Sequence, residues 1–202
     1  MKIALIGASG NAGRRILAEL TSRGHAVTAI ARNPEKIPPG PKVTARKGDV
    51  FDKAGLVALL KGHDAVVSSV RFTASDPRLL IDAVRASGVK RYLIVGGAGS
   101  LEASPGVRVI DTPQFPAAYK PEAGKGCEFL DLLRTVGDLD WTFLSPSALF
   151  VAGDRTGKFR LGKDQLLTSD KGSSISFEDY AIALVDEIET PAHVRQRFTV
   201  GY

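Results

Sequence analysis

With 202 residues, 44% of them hydrophobic and 24% charged, the chain has the composition of one soluble domain with a sizeable core, which excludes a disordered polypeptide. Its net charge of +5 comes from lysines and arginines spread along the sequence, without a dense basic run or interleaved aromatic residues, so we expect no nucleic-acid partner. No apolar run approaches the roughly 20 residues that span a bilayer, and the first run breaks at Gly7, too early for a signal peptide, so we expect a cytoplasmic protein with no membrane partner.

The first predicted element is a strand that runs into a glycine-rich turn. An apolar run at 2–6 is followed by GASGNAG at 7–13 and then by an amphipathic, helix-like stretch. Glycines spaced in this way have two interpretations, an ordinary structural turn or a phosphate-binding turn. In a phosphate-binding turn, Gly7 bends the chain, Gly10 lets the backbone approach a pyrophosphate, and Gly13 lets the helix pack on the strand.

The second strand favours the phosphate-binding interpretation. An apolar run at 26–31 completes a strand, turn, helix and strand within about 30 residues, which is the context that a dinucleotide site requires. The helix N-terminus would present free backbone N–H groups and its positive dipole end to a pyrophosphate. Ser9 and Asn11 are candidates for additional side-chain hydrogen bonds.

The residue that follows the second strand predicts which dinucleotide is bound. Arg32 stands where an acidic side chain would accept hydrogen bonds from an adenosine 2′-hydroxyl. A guanidinium instead suits a 2′-phosphate, and Lys36 or Arg14 is placed to share it. We therefore predict NADPH as the cofactor, with NADH as the second option. The alternative interpretation of Arg32 is an exposed arginine on a loop.

The third strand, at 43–47, leads into a second candidate cofactor segment. Asp49 is a candidate acceptor for the adenine amino group, and Val50 is a candidate cover for the adenine ring. An exposed aspartate that caps the helix from residue 53 explains Asp49 equally well.

Further apolar runs at 64–70, 90–95 and 140–145 alternate with helical patterns. Strands that alternate with helices predict right-handed crossovers and a parallel sheet covered on both faces. The expected fold is therefore a single-domain, Rossmann-type, doubly wound parallel α/β sheet. Ser69 and Val70 end the fourth strand at the carboxyl edge of this sheet, where such folds bind ligands.

The C-terminal third departs from simple alternation. Short alternating stretches and turn signals before Ser176 predict an extended insertion or hairpin, which would make a small C-terminal extension. Ser176 and Asp179 then form a capping-box-like start to a helix, and the segment 197–202 is typical of a last strand. We expect one domain over 1–202, in which residues 146–202 complete the substrate side.

Four motifs, in this order and spacing, resemble those of the atypical short-chain dehydrogenase/reductase superfamily. The specific likeness is to its NAD(P)H-binding, NmrA-like group, which includes NADH-flavin reductases and is similar to biliverdin-IXβ/flavin reductase. The motifs are GASGNAG, AIARNPEK, KGDV and ISFEDYAIALVDEIE, and the resemblance covers nearly the whole chain. It implies a cofactor site made of Gly7, Ser9, Gly10, Asn11, Ala12, Gly13, Arg32, Lys36, Asp49 and Val50, with Pro146 bordering the nicotinamide.

The chain departs from typical members of that superfamily at the catalytic position. Those members place a tyrosine four residues before a lysine and use the tyrosine to protonate a carbonyl. Tyr119 is followed at that spacing by Ala123, and the expected serine after the fifth strand is represented by Ser100, slightly late. Tyr119 and Ser100 are the catalytic candidates, and Phe115 and Phe150 are candidates for lining the site.

Two functional hypotheses follow. Hydride transfer to a flavin, a quinone or a similar planar acceptor needs no dedicated acid, because the ring delocalises charge and takes protons from solvent. This predicts an NADPH-dependent reductase that uses flavin as a substrate rather than as a bound prosthetic group. The alternative is a non-catalytic NADP(H) sensor that presents a changed surface to a protein partner.

The remaining expectations concern metals, thiols and assembly. The three histidines lack the spacing of a metal site, so we expect no metal. The single cysteine, Cys127, lies in a predicted helix and cannot form an internal disulfide, which agrees with a reducing compartment. The expected partner is a small planar acceptor, and a homodimer is one option for assembly.

Overall fold

In the computed structural model, which describes residues 1–202, strands and helices alternate along most of the chain. The five α-helices are α1 (Asn11–Ser22), α2 (Lys53–Leu60), α3 (Pro77–Ser87), α4 (Lys120–Leu133) and α5 (Phe177–Glu189). The twelve strands are β1 (Lys2–Ile6), β2 (Ala26–Ala31), β3 (Val43–Lys47), β4 (Ala65–Ser68), β5 (Arg91–Val95), β6 (Glu102–Ser104), β7 (Val107–Arg108), β8 (Asp140–Pro146), β9 (Leu149–Val151), β10 (Arg160–Gly162), β11 (Ser174–Ser176) and β12 (Gln196–Gly201).

Eight strands form the central sheet, in the order β10-β12-β8-β5-β4-β1-β2-β3. All neighbouring strands are parallel except β10, which pairs antiparallel with β12. From β1 the chain winds outward through β2 and β3, then returns to β4 on the other side of β1 and continues through β5 and β8. The strand order therefore reverses between β1 and β4, and the predicted doubly wound α/β fold is confirmed.

Helices cover both faces of this sheet and create two apolar layers. One layer packs α1 and α5 against the sheet through residues such as Ile16, Leu20 and Leu184. The other layer is built on α2, α3 and α4 and includes Leu56 and Phe129. Strands buried on both faces read as continuous apolar runs rather than alternating ones, which is why periodicity located them.

No helix is both long enough and apolar enough to cross a membrane.

The C-terminal extension differs from a simple hairpin. β9 pairs with β11 in parallel, which a hairpin would not do, and β10 joins the central sheet beside β12. The prediction of an insertion was correct, but the hairpin alternative was wrong. β10 pairs with the last three residues of β12, 199–201, and so covers that part of what would otherwise be an open sheet edge.

The predicted cap of α5 is present, but its acidic member has a second role. The Asp179 backbone N–H donates to Ser176 Oγ over 3.0 Å, as in a capping box. The buried Asp179 carboxylate does not return to Ser176; it accepts from the backbone N–H groups of Thr156 and Gly157, each at 2.8 Å, and from the Tyr202 hydroxyl. Asp179 therefore fastens the segment between β9 and β10 to the start of α5.

Candidate functional site

The glycine turn lies between β1 and α1, at the point where the strand order reverses. Gly7 has φ +85°, and a Cβ on it would lie 2.2 Å from the carbonyl oxygen of Ser69. A Cβ on Gly13 would lie 2.1 Å from the carbonyl oxygen of Gly7. Gly10 is exposed, and its N–H donates to the Gly7 carbonyl over 3.0 Å. Packing therefore requires the outer two glycines, whereas Gly10 leaves the turn open to solvent.

The start of α1 offers backbone donors without an internal partner. Gly10 is the N-cap residue, no side chain caps the helix, and the first turn contains no acidic residue. Asn11 is exposed, while Ser9 and Ala12 are half-buried in the same turn. Uncapped N–H groups and the positive end of the helix dipole suit an anion such as a pyrophosphate. This turn therefore fits the phosphate-binding interpretation.

Unpaired cationic side chains lie at the same edge of the sheet. Arg32 directly follows β2, is exposed, and forms no hydrogen bond or ion pair within the chain. Lys36 ends a short 3-10 turn after it and has no acidic partner. Arg14, in the first turn of α1, contacts only Asn11 Oδ1, at 3.3 Å. Because β1 and β2 are parallel neighbours, these cations stand near the glycine turn, where a 2′-phosphate would need them.

The structure of the segment after β3 decides between the two interpretations of Asp49, an acceptor for adenine or the cap of α2. The cap of α2 is Asp52, whose Oδ1 accepts from the Gly55 backbone N–H over 3.0 Å. The alternative in which Asp49 caps this helix is therefore wrong. Asp49 is exposed, and its Oδ1 accepts from the Phe51 N–H, which leaves the other oxygen available to a ligand. Val50 is partly buried and packs against the core. Phe51 is 57% exposed, and its aromatic ring follows the residues expected at the adenine; the sequence analysis missed it.

These two aspartates give a stability test. Asp52→Ala is expected to lower the free energy of unfolding by about 1 kcal/mol, because it removes a helix cap. Asp49→Ala, the matched control, should leave the unfolding free energy nearly unchanged and weaken cofactor binding instead. Chemical denaturation of both variants measures the difference, and an equal loss of stability in Asp49→Ala would contradict the assignment.

Ser69 and Val70 were predicted to end the fourth strand, but β4 ends at Ser68 and both residues follow it, where they lie against the glycine turn. The Ser69 N–H donates to the Ile6 carbonyl over 2.8 Å, and the Ser69 carbonyl is the atom closest to Gly7. Val70 Cγ1 would be 3.1 Å from a Cβ on Gly7. The ends of β1 and β4 are thus in contact, and the small residues there bring the two backbones together.

A cavity of about 660 Å³ opens at the carboxyl ends of β5 and β8. Its walls are the loop after β5, the first turn of α4 and the segment after β8. Four aromatic side chains line it, namely Phe72, Phe115, Tyr119 and Phe150. Pro146, at the end of β8, also lines it, so several residues predicted for the site share one cavity.

The structure does not bring the two catalytic candidates together. Tyr119 is 66% exposed at the cavity, and its hydroxyl has no hydrogen-bond partner within the chain. Ser100 is buried, lies 3.4 Å from Arg197 Nη1 and does not line the cavity. Ser100, predicted as a catalytic candidate, therefore lies outside the cavity that Tyr119 lines. Ala123, where the superfamily's lysine would stand, packs so closely on Gly99 that a Cβ on that glycine would lie 2.8 Å from Ala123 Cβ.

Glu122 connects the cavity wall to the segment after β4, and the sequence analysis missed it. Its carboxylate accepts from the Phe72 N–H at 2.7 Å and from the Thr73 N–H at 3.0 Å and hydroxyl at 2.6 Å. Arg71 Nε lies 3.9 Å away. An acidic residue directly after Pro121, in the first turn of a predicted helix, was the available signal.

The wall formed after β8 is held by aromatic packing. The Phe150 ring centre lies 4.5 Å from that of Phe177 and 4.7 Å from that of Tyr180. The Tyr180 hydroxyl donates to the Leu144 carbonyl over 2.7 Å, and burial raises the pKa of Tyr180 well above its ordinary value. Tyr180 therefore stays protonated, and its ring packs against that of Phe150.

Comparison with known proteins places this geometry in context. A family model described as NAD(P)H-binding matches residues 7–191, which include the glycine turn, both cofactor segments and the cavity.

Three solved structures illustrate the similarity over the full chain. A protein of Burkholderia pseudomallei, named a "putative exported protein", is 46% identical, with a TM-score of 0.90 and 100% of each chain covered. A "putative epimerase" of Bacteroides thetaiotaomicron is 42% identical, with a TM-score of 0.94 over 100% of this chain and 96% of the other. A "putative NADH-flavin reductase" of Streptococcus pneumoniae is 38% identical, with a TM-score of 0.80 over 100% and 99%.

Proposed function

The chain belongs to the NAD(P)H-binding family, and on that premise we propose that it is an NADPH-preferring reductase that transfers a hydride to a planar acceptor such as a flavin or quinone. One observation carries the proposal: an aromatic-lined cavity lies at the carboxyl edge of the sheet and contains a tyrosine without a lysine partner. The likeness to a protein named a "putative NADH-flavin reductase" supports the same reaction class.

The residues for the cofactor divide into four groups, one for each part of the dinucleotide that they would contact. The uncapped start of α1 and the turn at 7–13 would hold the pyrophosphate. Arg32 and Lys36, both without acidic partners, would hold the 2′-phosphate, and the free oxygen of Asp49 would accept from adenine. Pro146 would border the nicotinamide. NADPH bound in this way supplies the hydride.

The cavity then acts by positioning rather than by proton transfer. Phe72 and Phe150 are held in place, the first by the hydrogen bond of its N–H to Glu122 and the second by packing on Tyr180. A planar acceptor bound between these walls would lie at the same sheet edge as the cofactor. Holding the acceptor and NADPH next to each other is itself a large part of catalysis. A planar acceptor delocalises the charge that the hydride brings, and the open cavity admits water as the proton source.

Steady-state oxidation of NADPH with riboflavin, FMN and quinones as acceptors tests the proposal. We expect acceptor-dependent oxidation above the rate without enzyme, and higher kcat/KM with NADPH than with NADH. The reductase assignment fails if no acceptor exceeds the rate without enzyme.

The same site also fits a non-catalytic NADP(H) sensor, and the missing lysine partner of Tyr119 is the observation that favours it. Such a protein would bind oxidised and reduced cofactor tightly, without turnover, and would change its affinity for a protein partner between the two. Calorimetric titration with NADP⁺ and NADPH, followed by addition of acceptors in the same cell, separates the two functions.

Tyr119→Phe is expected to change kcat for a quinone by less than about threefold, because no step of the proposed reaction needs an acid from the chain, whereas a true general acid contributes about 10²–10⁴-fold. The pH profile of kcat should also keep its shape. A hundredfold loss, together with a lost acidic or basic limb of the profile, would instead make Tyr119 a proton donor.

A further inference from the structure

We propose that the acceptor is an uncharged, phosphate-free ring of the quinone class, and that the cavity discriminates against anionic acceptors such as FMN. This inference rests on the proposed function and narrows its substrate class. The observation behind it is a separation of charge: the unpaired cations stand at the cofactor edge, and none lines the acceptor cavity.

The cavity lining carries almost no charge. None of its 17 residues is a lysine, arginine or histidine, and its one carboxylate belongs to Glu122. That carboxylate is already saturated by three donors from Phe72 and Thr73. A phosphate or sulfonate inside this cavity would find no cation in the lining and would face the negative charge of Glu122, and both disfavour an anion.

The cations that neighbour lining residues in the chain or in space do not line the cavity themselves. Arg71 Nε lies 3.9 Å from Glu122 Oε2, and its side chain is otherwise exposed. Arg197 pairs with Asp164 at 2.6 Å on the far side of Ser100. Lys120 starts α4, is exposed and does not line the cavity. No lysine or arginine therefore lines the acceptor cavity, in contrast to the three cations near the glycine turn.

The lining does offer neutral hydrogen-bond donors suited to carbonyl oxygens. Tyr119 and Gln114 bring a hydroxyl and an amide to a wall that is otherwise mostly aromatic and aliphatic, whereas the Thr112 hydroxyl already donates to the Val109 carbonyl over 2.7 Å. A quinone presents two carbonyl oxygens and a flat apolar ring, which matches this set. In the reaction the quinone takes one hydride from NADPH and one proton from water, and the products are the hydroquinone and NADP⁺.

Two matched acceptor pairs test the inference, naphthoquinone against naphthoquinone sulfonate and riboflavin against FMN. In each pair the ring is shared and only one member is anionic. We expect kcat/KM to be at least about tenfold higher for the uncharged member of each pair, and higher for naphthoquinone than for riboflavin. Because the sulfonate makes its ring easier to reduce, a preference for the parent ring cannot come from reactivity. Equal or better turnover of FMN and the sulfonate overturns the inference while leaving the reductase function intact.

A loss of all turnover would instead overturn the proposed function, and binding then tests the cavity separately. With the protein saturated by NADP⁺, quenching of flavin fluorescence should report at least about tenfold tighter binding of riboflavin than of FMN. Equal affinities for riboflavin and FMN would mean that the cavity does not discriminate between uncharged and anionic ligands.

A variant with a new cation provides the converse test. Gln114→Arg places a guanidinium in the lining and should raise the ratio of FMN to riboflavin kcat/KM by at least about tenfold. Gln114→Met, of similar size but without charge, is the matched control and should leave this ratio within about twofold. An unchanged ratio in Gln114→Arg would contradict the charge argument.

Discussion

Arg32→Ala is expected to weaken NADPH binding by about tenfold to a hundredfold and to leave NADH binding nearly unchanged, because a charge-assisted hydrogen bond contributes about 1.5–3 kcal/mol. Arg32 follows β2 at the edge where the cofactor would lie, and it has no partner within the chain. No hydrogen bond or ion pair within the chain therefore has to break for its guanidinium to contact a 2′-phosphate. Since NADH lacks that phosphate, the two cofactors respond differently to the same substitution.

Calorimetric titration of the Arg32→Ala protein with both cofactors makes the measurement. Arg32→Lys should recover part of the NADPH affinity, because it keeps the charge but loses the two-pronged geometry. Lys61→Ala removes an exposed cation at the opposite edge of the sheet, directly after α2, and should change neither affinity. Parallel losses for NADPH and NADH would show that Arg32 supports the site in general and does not read the 2′-phosphate.

The parts of the molecule that the sequence predicts best are those set by local patterns. The central strands β1, β4, β5 and β8 are largely buried, so each is a short apolar run bounded by turn residues, whereas the edge strand β3 is mostly exposed. β1, β2 and β3 begin and end where the periodicity places them. The glycine turn is partly local: Gly10 and Gly13 are constrained by the Gly7 carbonyl within the same strand–turn–helix unit, whereas Gly7 is constrained by Ser69, which follows β4.

The contacts that the sequence did not predict join residues that are far apart in the chain. Glu122 binds the backbone about 50 residues before it, and Asp179 binds the segment that precedes it by more than 20 residues. Ser100 accepts a hydrogen bond from Arg197, on the last strand, and does not line the cavity. In each case the residue type is an ordinary polar one, and only the three-dimensional arrangement decides which donor or acceptor it meets. The cavity combines three such segments, which is why single lining residues were predictable but their common surface was not.

Gly13→Ala is expected to abolish tight cofactor binding, with Kd for NADP(H) raised at least about tenfold, and to lower the melting temperature by about 2–12 °C. The added Cβ would lie 2.1 Å from the carbonyl oxygen of Gly7 and 3.2 Å from the Cα of Ala8, and both neighbours are backbone atoms. The turn must therefore move away from α1 to make room. That movement separates the carbonyl of Gly7 from the start of α1. The pyrophosphate site depends on the original, close arrangement of this turn and the helix start.

Gly137→Ala is the matched control, because a Cβ there meets no atom within 4 Å and the residue has no positive φ. It should leave both the affinity and the melting temperature close to those of the unmodified protein.

Gly10→Ala is intermediate between these two variants. Its Cβ would lie 3.3 Å from the Gly7 carbonyl, so the fold should tolerate it, while the added methyl hinders the approach of a pyrophosphate. The expected order of cofactor affinity is therefore Gly137→Ala above Gly10→Ala above Gly13→Ala. If Gly13→Ala bound NADPH as tightly as Gly137→Ala, the turn would be a structural feature only, and the cofactor would have to be held elsewhere.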